Sequence, residues 1–184
     1  MLGLLLIILS GTSCMLRDSR CTNLMGNGQY CLQSTAAVAP FTIRQIIKAS
    51  INSNHETAVT DIEVNAQGMS LIVLTPFGQK IMHINYDNQE ANAIVSPSSR
   101  IAPSMMMAIV QLALWPVASV RGGLSDSLLL EENISHRRYL AKNKLVLDIQ
   151  YANSELPYNK LHISIPTINL ELDIEALPEI DGVQ

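Results

Sequence analysis

The sequence predicts a mainly β protein with a short helical insertion, an α+β chain built on antiparallel strands. Three stretches carry that expectation. From Leu71 to Ile84, two apolar arms flank a Thr75-Pro76-Phe77-Gly78 tip. Proline presets φ for a turn, glycine accepts backbone angles that other residues avoid, and the arms are rich in β-branched and long apolar residues. Near the C-terminus, Leu170, Leu172 and Ile174 alternate with Glu171, Asp173 and Glu175, the pattern of a strand with one buried face. Between them, Pro103 to Leu114 is apolar almost all round apart from Gln111, which reads as a helix opened by proline.

The chain begins with an apolar run, Leu2 to Leu9. This is too short for a bilayer, which needs about 20 residues, but it suits the core of a signal peptide. Gly11, Thr12 and Ser13 then precede Cys14, which resembles the lipobox of bacterial lipoproteins. That motif implies a signal peptide over residues 1–13 and a lipid on Cys14. Met15 stands after the cysteine in place of Asp, which in enteric-type sorting implies the outer membrane. Arg17 to Pro40 is rich in Ser, Thr, Asn and Gly and reads as a tether with little regular structure, so residues 14–40 form a lipidated tether. Cys21 and Cys31 lie within it. An exported chain permits a disulfide between them, worth up to ~3 kcal/mol for a short loop; two free thiols are the other reading. A zinc site would lack its remaining ligands there.

From Phe41 onward the texture is that of strands, giving one antiparallel β domain over 41–184 with a helical insertion near 103–121. Phe41 to Ile51 and Thr57 to Val64 are extended, and Ala66-Gln67-Gly68 turns into the Leu71 arm. Tyr86 to Gln89 turns again before a short strand, Ala91 to Val95. Tight turns between successive strands make an antiparallel meander. The helix, about 12 residues long, cannot cross a membrane of ~20-residue demand. Being apolar on every side, it must be buried or must cover an apolar cavity. Its run Met105-Met106-Met107 suits contact with irregular surfaces, although a filled core would use it equally well. Trp115-Pro116 ends or kinks it. Strands return at Arg137 to Ala141, Lys144 to Tyr151 and Lys160 to Ile165, and a polar tail follows Pro178.

Phe77 is one of only two phenylalanines in the chain. Folded back onto the sheet it would be a local plug; left in water it would mark a contact with a partner or a membrane. Composition narrows the field. With 48% hydrophobic and 15% charged residues in 184, the chain is globular and long enough for a sizeable core. A net charge of −4 argues against nucleic acid as a partner, since phosphate binding needs cationic surface. His55, His83, His136 and His162 are scattered without metal-ligand spacing, and no nucleophile elbow or phosphate loop appears. The expectation is a protein without enzymatic activity, cofactor or metal. His136-Arg137-Arg138 reads as a solvated charge cluster, or as a site for lipid phosphates.

The order of signal, Cys14, tether, strands, Thr-Pro-Phe-Gly hairpin, apolar helix and closing strands resembles the LolB-like lipoproteins, outer-membrane receptors for lipoprotein delivery. Leu71 to Gln79 and Gln111-Leu112-Ala113-Leu114-Trp115-Pro116 further resemble an uncharacterised family of short proteobacterial lipoproteins often encoded near aryl-polyene or fatty-acid-type synthesis genes. The resemblance spans most of Tyr30 to Leu177. It implies an incomplete antiparallel β-barrel covered by short apolar helices, with Pro76, Phe77 and Gly78 as a membrane or partner loop. It also implies that the helix lids an acyl-chain cavity, which is expected to be lined by Met106, Ile109, Val110, Leu114, Leu147 and Leu172. The function expected on this basis is acceptance or transfer of a lipidated or polyene-lipid cargo on the periplasmic face of the outer membrane, served by a periplasmic carrier protein. The competing expectation is a structural lipoprotein with a filled core that binds another envelope protein.

Overall fold

The structure is a computed structural model describing residues 18–24, 28–95, 102–153 and 158–178. The expected signal peptide, Cys14 and the end of the polar tail lie outside the described residues. Two short strands come first, β1 (Cys21–Leu24) and β2 (Gly28–Cys31), followed by a 3₁₀ turn at Thr35–Ala37. A meander of five strands follows: β3 (Phe41–Ile51), β4 (Asn54–Asn65), β5 (Gly68–Leu74), β6 (Lys80–Tyr86) and β7 (Ala91–Val95). Helices α1 (Pro103–Leu114) and α2 (Val117–Gly123) lead into β8 (Leu128–Asn133), β9 (His136–Ala141), β10 (Lys144–Tyr151), β11 (Lys160–Ile165) and β12 (Leu170–Ala176).

Ten of the strands form one antiparallel sheet in the order β7-β6-β5-β4-β3-β12-β11-β10-β9-β8. The chain meanders outward from β3 to one edge, crosses through the helices to the other edge, and meanders back until β12 pairs with β3. Ile47 and Ile174 face each other across that closing seam. Among the described residues the sheet is open, with β7 and β8 as its edge strands. It is nevertheless curved, because strands from both halves reach one helix. α1 packs on β6 and β7, while the hydroxyls of Tyr139 on β9 and Tyr151 on β10 donate to the Leu112 and Ala113 carbonyls of the same helix, each at 2.8 Å. The expected incomplete barrel is thus an open sheet wrapped around α1.

The largest departure from expectation is the N-terminal segment. Read as a tether, residues 21–37 instead fold as a two-stranded ribbon and a turn, in which Cys21 and Cys31 are register partners joined by a disulfide. Tyr30 and Leu32 are fully buried. Bulky apolar side chains at 24, 30 and 32, spaced among polar residues, gain enough burial from a distant helix to fold a stretch whose local composition says loop. The ribbon explains why α1 can be apolar all round: one side faces the concave sheet and the other is covered by the ribbon.

On the outer face, His162 of β11 lies across from β12. Its Nδ1 is 2.9 Å from Asp173 and its Nε2 is 2.9 Å from Glu171. Nδ1 is hydrogen-bonded to Asp173 and Nε2 lies in ion-pair contact with Glu171, so two carboxylates favour the imidazolium. Partial burial works against the charge, but the hydrogen bonds and charges of Asp173 and Glu171 outweigh it and hold the ring above its usual 6.5. A raised folded pKa stabilises fully below about pH 6.5 and is lost as pH rises through the folded value. The expected result is a melting temperature that falls between pH 6 and 8 by more in the wild type than in His162→Gln.

Candidate functional site

Beneath α1 lies a cavity of about 250 Å³. Its roof is a helical stripe at i, i+3, i+4, i+7 and i+8: Met106, Ile109, Val110, Ala113 and Leu114. Its floor comes from both arms of the closing seam, Ile47, Ala58 and Ile62 on one side and Leu161, Ile163, Leu172 and Ile174 on the other. The period of 3.6 in the helix and of 2 in the strands turns these residues to a common interior. Among the described residues no charged side chain lines it, and only Gln45 and Thr60 carry amide or hydroxyl groups. Small-molecule sites usually hold about 300–1,000 Å³, so this one suits a segment of chain rather than a whole lipid.

Five of the six expected lining residues, Met106, Ile109, Val110, Leu114 and Leu172, line the cavity. Leu147 does not. It is buried in the core, opposite Tyr139 on β9. On that side of the sheet, Tyr139 and Tyr151 reach the last turn of α1, and Arg137 joins them. The register shift between Leu145 and Leu147 breaks the alternation only ahead of Leu147, which keeps phase with buried Ile149 and Tyr151.

Arg137 corrects a second expectation. Only 5% exposed, it is not a solvated cluster residue but a cap. Its guanidinium donates to the carbonyls of Trp115 at 2.8 Å and Leu112 at 3.1 Å, and lies over the Tyr151 ring. A cation there satisfies carbonyls that the helix end leaves free and opposes the negative end of its dipole. Burial pushes the phenols of Tyr30, Tyr139 and Tyr151 up, despite the opposing charge of Arg137, so all three remain neutral donors.

The other side of α1 is pinned by Gln111, which is fully buried. Its Oε1 accepts from the Gln33 N–H at 2.7 Å and from the Tyr30 hydroxyl at 3.1 Å, and its Nε2 donates to the Gln33 carbonyl at 2.9 Å. The Trp115 indole donates to the Ser34 carbonyl. These bonds hold the lid helix to the ribbon, so the cavity roof is fixed from above as well as from its end.

The lining is graded. Gln45, Thr60, Leu71, Leu161 and Ile163 are buried, whereas Ile47, Ala58, Met82, Met106, Ile109 and Leu172 are half-buried. The cavity therefore opens toward the end of the sheet where β5 meets β6. Val73 pairs with Met82 and Leu74 with Lys80, so the 75–79 loop lies immediately beyond that opening. The loop is rigid. Gly78 N–H donates to the Thr75 carbonyl at 2.9 Å, Thr75 N–H to the Gln79 carbonyl at 2.8 Å, and Gln79 N–H to the Thr75 hydroxyl at 3.1 Å. Gly78 has φ +83°, which a side chain would strain. This presents Phe77 98% exposed, so it is not a plug on the sheet. Thus one end of the molecule holds the apolar opening and the exposed aromatic tip together.

The sequence reading missed Gln45, Thr60 and the anchoring roles of Gln111 and Arg137. The available signal was polarity in the wrong place: a glutamine inside an apolar helix, and Gln45 at an inward position between Ile43 and Ile47.

Among the described residues no helix is long and apolar enough to cross a membrane. The profile of a family described as "Protein of unknown function (DUF3261)" matches residues 42–178. None of the curated proteins compared with the chain matches it. Among solved structures, the chain is similar to a LolA superfamily protein from Nitrosomonas europaea, at 7% identity and TM-score 0.43, over 84% of this chain and 96% of that one. It is also similar to a DUF1329 family protein from Desulfovibrio piger, at 7% identity and TM-score 0.44, over 77% and 86% of the two chains.

Proposed function

The chain belongs to DUF3261, a protein family of unknown function, and we propose from its own geometry that it carries an apolar chain at a membrane surface. The observation that carries this reading is the apolar cavity under α1, opening beside the exposed Phe77 tip. A protein that takes an acyl segment out of a bilayer needs a water-free slot and a means of engaging the bilayer at the slot's entrance. Phe77 on its rigid turn serves the second need, since inserting it removes an aromatic surface from water. In this reading Cys14 bears the lipid anchor, the protein faces the periplasm from the outer membrane, and its cargo, a lipidated protein or a polyene-type lipid, arrives on a periplasmic carrier. The role is non-enzymatic: the site binds and releases without making or breaking a covalent bond.

Blocking the slot tests the reading. Ala58 is half-buried at the opening, so Ala58→Trp fills the entrance with little overpacking, and an aromatic suits a strand. Titration with the neutral fluorescent probe N-phenyl-1-naphthylamine should show saturable binding to the wild type and at least about a tenfold loss in the variant, at an unchanged melting temperature. Equal probe binding by both proteins would count against the cavity as the site.

A further inference from the structure

The cavity is not uniformly apolar, and its single polar layer is placed deep. Gln45 on β3 and Thr60 on β4 are register partners, 3% and 1% exposed respectively, and both line the cavity. Directly opposite though they are, they do not bond to each other: Thr60 Oγ1 is buried and has no hydrogen-bond partner among the described residues. In the adjoining strands the neighbours at this level are Val73 and Ala176, which offer no side-chain polar atom. Above and below lie Ile43 with Ile62, and Ile47 with Ala58.

A buried hydroxyl without a partner is an uncompensated cost of folding, and a hydrophobic side chain of the same shape would remove it. Resting on the carrier reading above, we propose that this layer reads the cargo: the chain that enters bears a neutral oxygen group, a hydroxyl or an ester carbonyl, within its apolar length. Thr60 can donate or accept, and the Gln45 amide offers both functions, so together they complement a group of either polarity. They do not complement a charge. With no ionisable residue in the lining among the described residues, a carboxylate or ammonium would enter this layer without a counter-ion. The half-buried rim is the entrance, so the recognised group travels past Met82, Met106 and Leu172 before reaching Thr60. A plain hydrocarbon would fill the same space and leave the hydroxyl unpaired, and sites that hydrogen-bond a ligand discriminate against the analogue that lacks the group.

The test is competition of decane and decan-5-ol against N-phenyl-1-naphthylamine on the full chain, each affinity taken relative to the ligand's transfer from water into hexadecane. The wild type should favour decan-5-ol by at least about tenfold, because against a hexadecane reference the alcohol's hydrogen bond to this layer is gained without a dehydration cost. Thr60→Val keeps the side chain's shape, and should reduce that preference while binding decane at least as well and melting no lower. Gln45→Leu should reduce the preference independently. Tight probe binding with the same relative affinities in wild type and both variants would overturn this inference and leave the carrier reading standing. Absence of binding by the probe and both ligands to the wild type would overturn both.

Discussion

Phe77→Ala should weaken binding to phospholipid vesicles by about one to two decades and leave the melting temperature where it is. With its side chain in water, Phe77 contributes almost nothing to folding, and truncation makes no cavity. Insertion of the same side chain into an apolar phase is worth roughly 1.5–3 kcal/mol, and each 1.4 kcal/mol or so is a factor of ten. Phe77→Glu should be worse than alanine, because a carboxylate resists leaving water. The turn tolerates either change, since its geometry comes from Pro76, Gly78 and the Thr75 hydroxyl rather than from residue 77. Vesicle flotation and thermal melts on the non-lipidated form measure the two quantities separately. A large loss of melting temperature with flotation unchanged would place the side chain in the core and remove its role at the bilayer.

Gln111→Leu should lower stability by roughly 3 kcal/mol or more, although it replaces a polar residue by an apolar one inside an apolar helix. The substitution strands three groups at once: the Gln33 N–H, the Gln33 carbonyl and the Tyr30 hydroxyl. Leaving one such group buried without a partner costs about 1–3 kcal/mol. The neighbouring Met107→Leu, equally buried but without polar bonds, should cost less than about 1.5 kcal/mol. Urea unfolding of the two variants checks the contrast. If both lose the same amount, Gln111 is a packing residue and the ribbon is held by apolar contact alone.

Local periodicity made much of this fold legible. The bounds of β3, β7, α1, β10 and β11 could be read from the strand and helix patterns, and the Thr-Pro-Phe-Gly tip from turn chemistry. The cavity roof was legible too, because a helix stripe depends only on spacing along one element. What stayed hidden depends on partners far away in sequence. Tyr30 and Leu32 look like tether residues until Gln111 and Trp115 of the helix are brought to them. Leu147 alternates correctly within its own strand, but strand order decides whether an inward residue meets the cavity or the anchored helix end. No local signal says that β12 returns to pair with β3. The role of Arg137 was hidden similarly, since a basic triplet reads as surface until a helix end lacking other partners lies above it.

The central claim, that the space under α1 holds an apolar chain, is tested most directly by native mass spectrometry of the full chain purified from membranes. The account predicts a lipid-sized mass increment on the intact wild-type protein, released on unfolding and absent from Ala58→Trp. A wild-type mass equal to that of its polypeptide and covalent anchor alone, after purification in a detergent that preserves bound lipid, would contradict it.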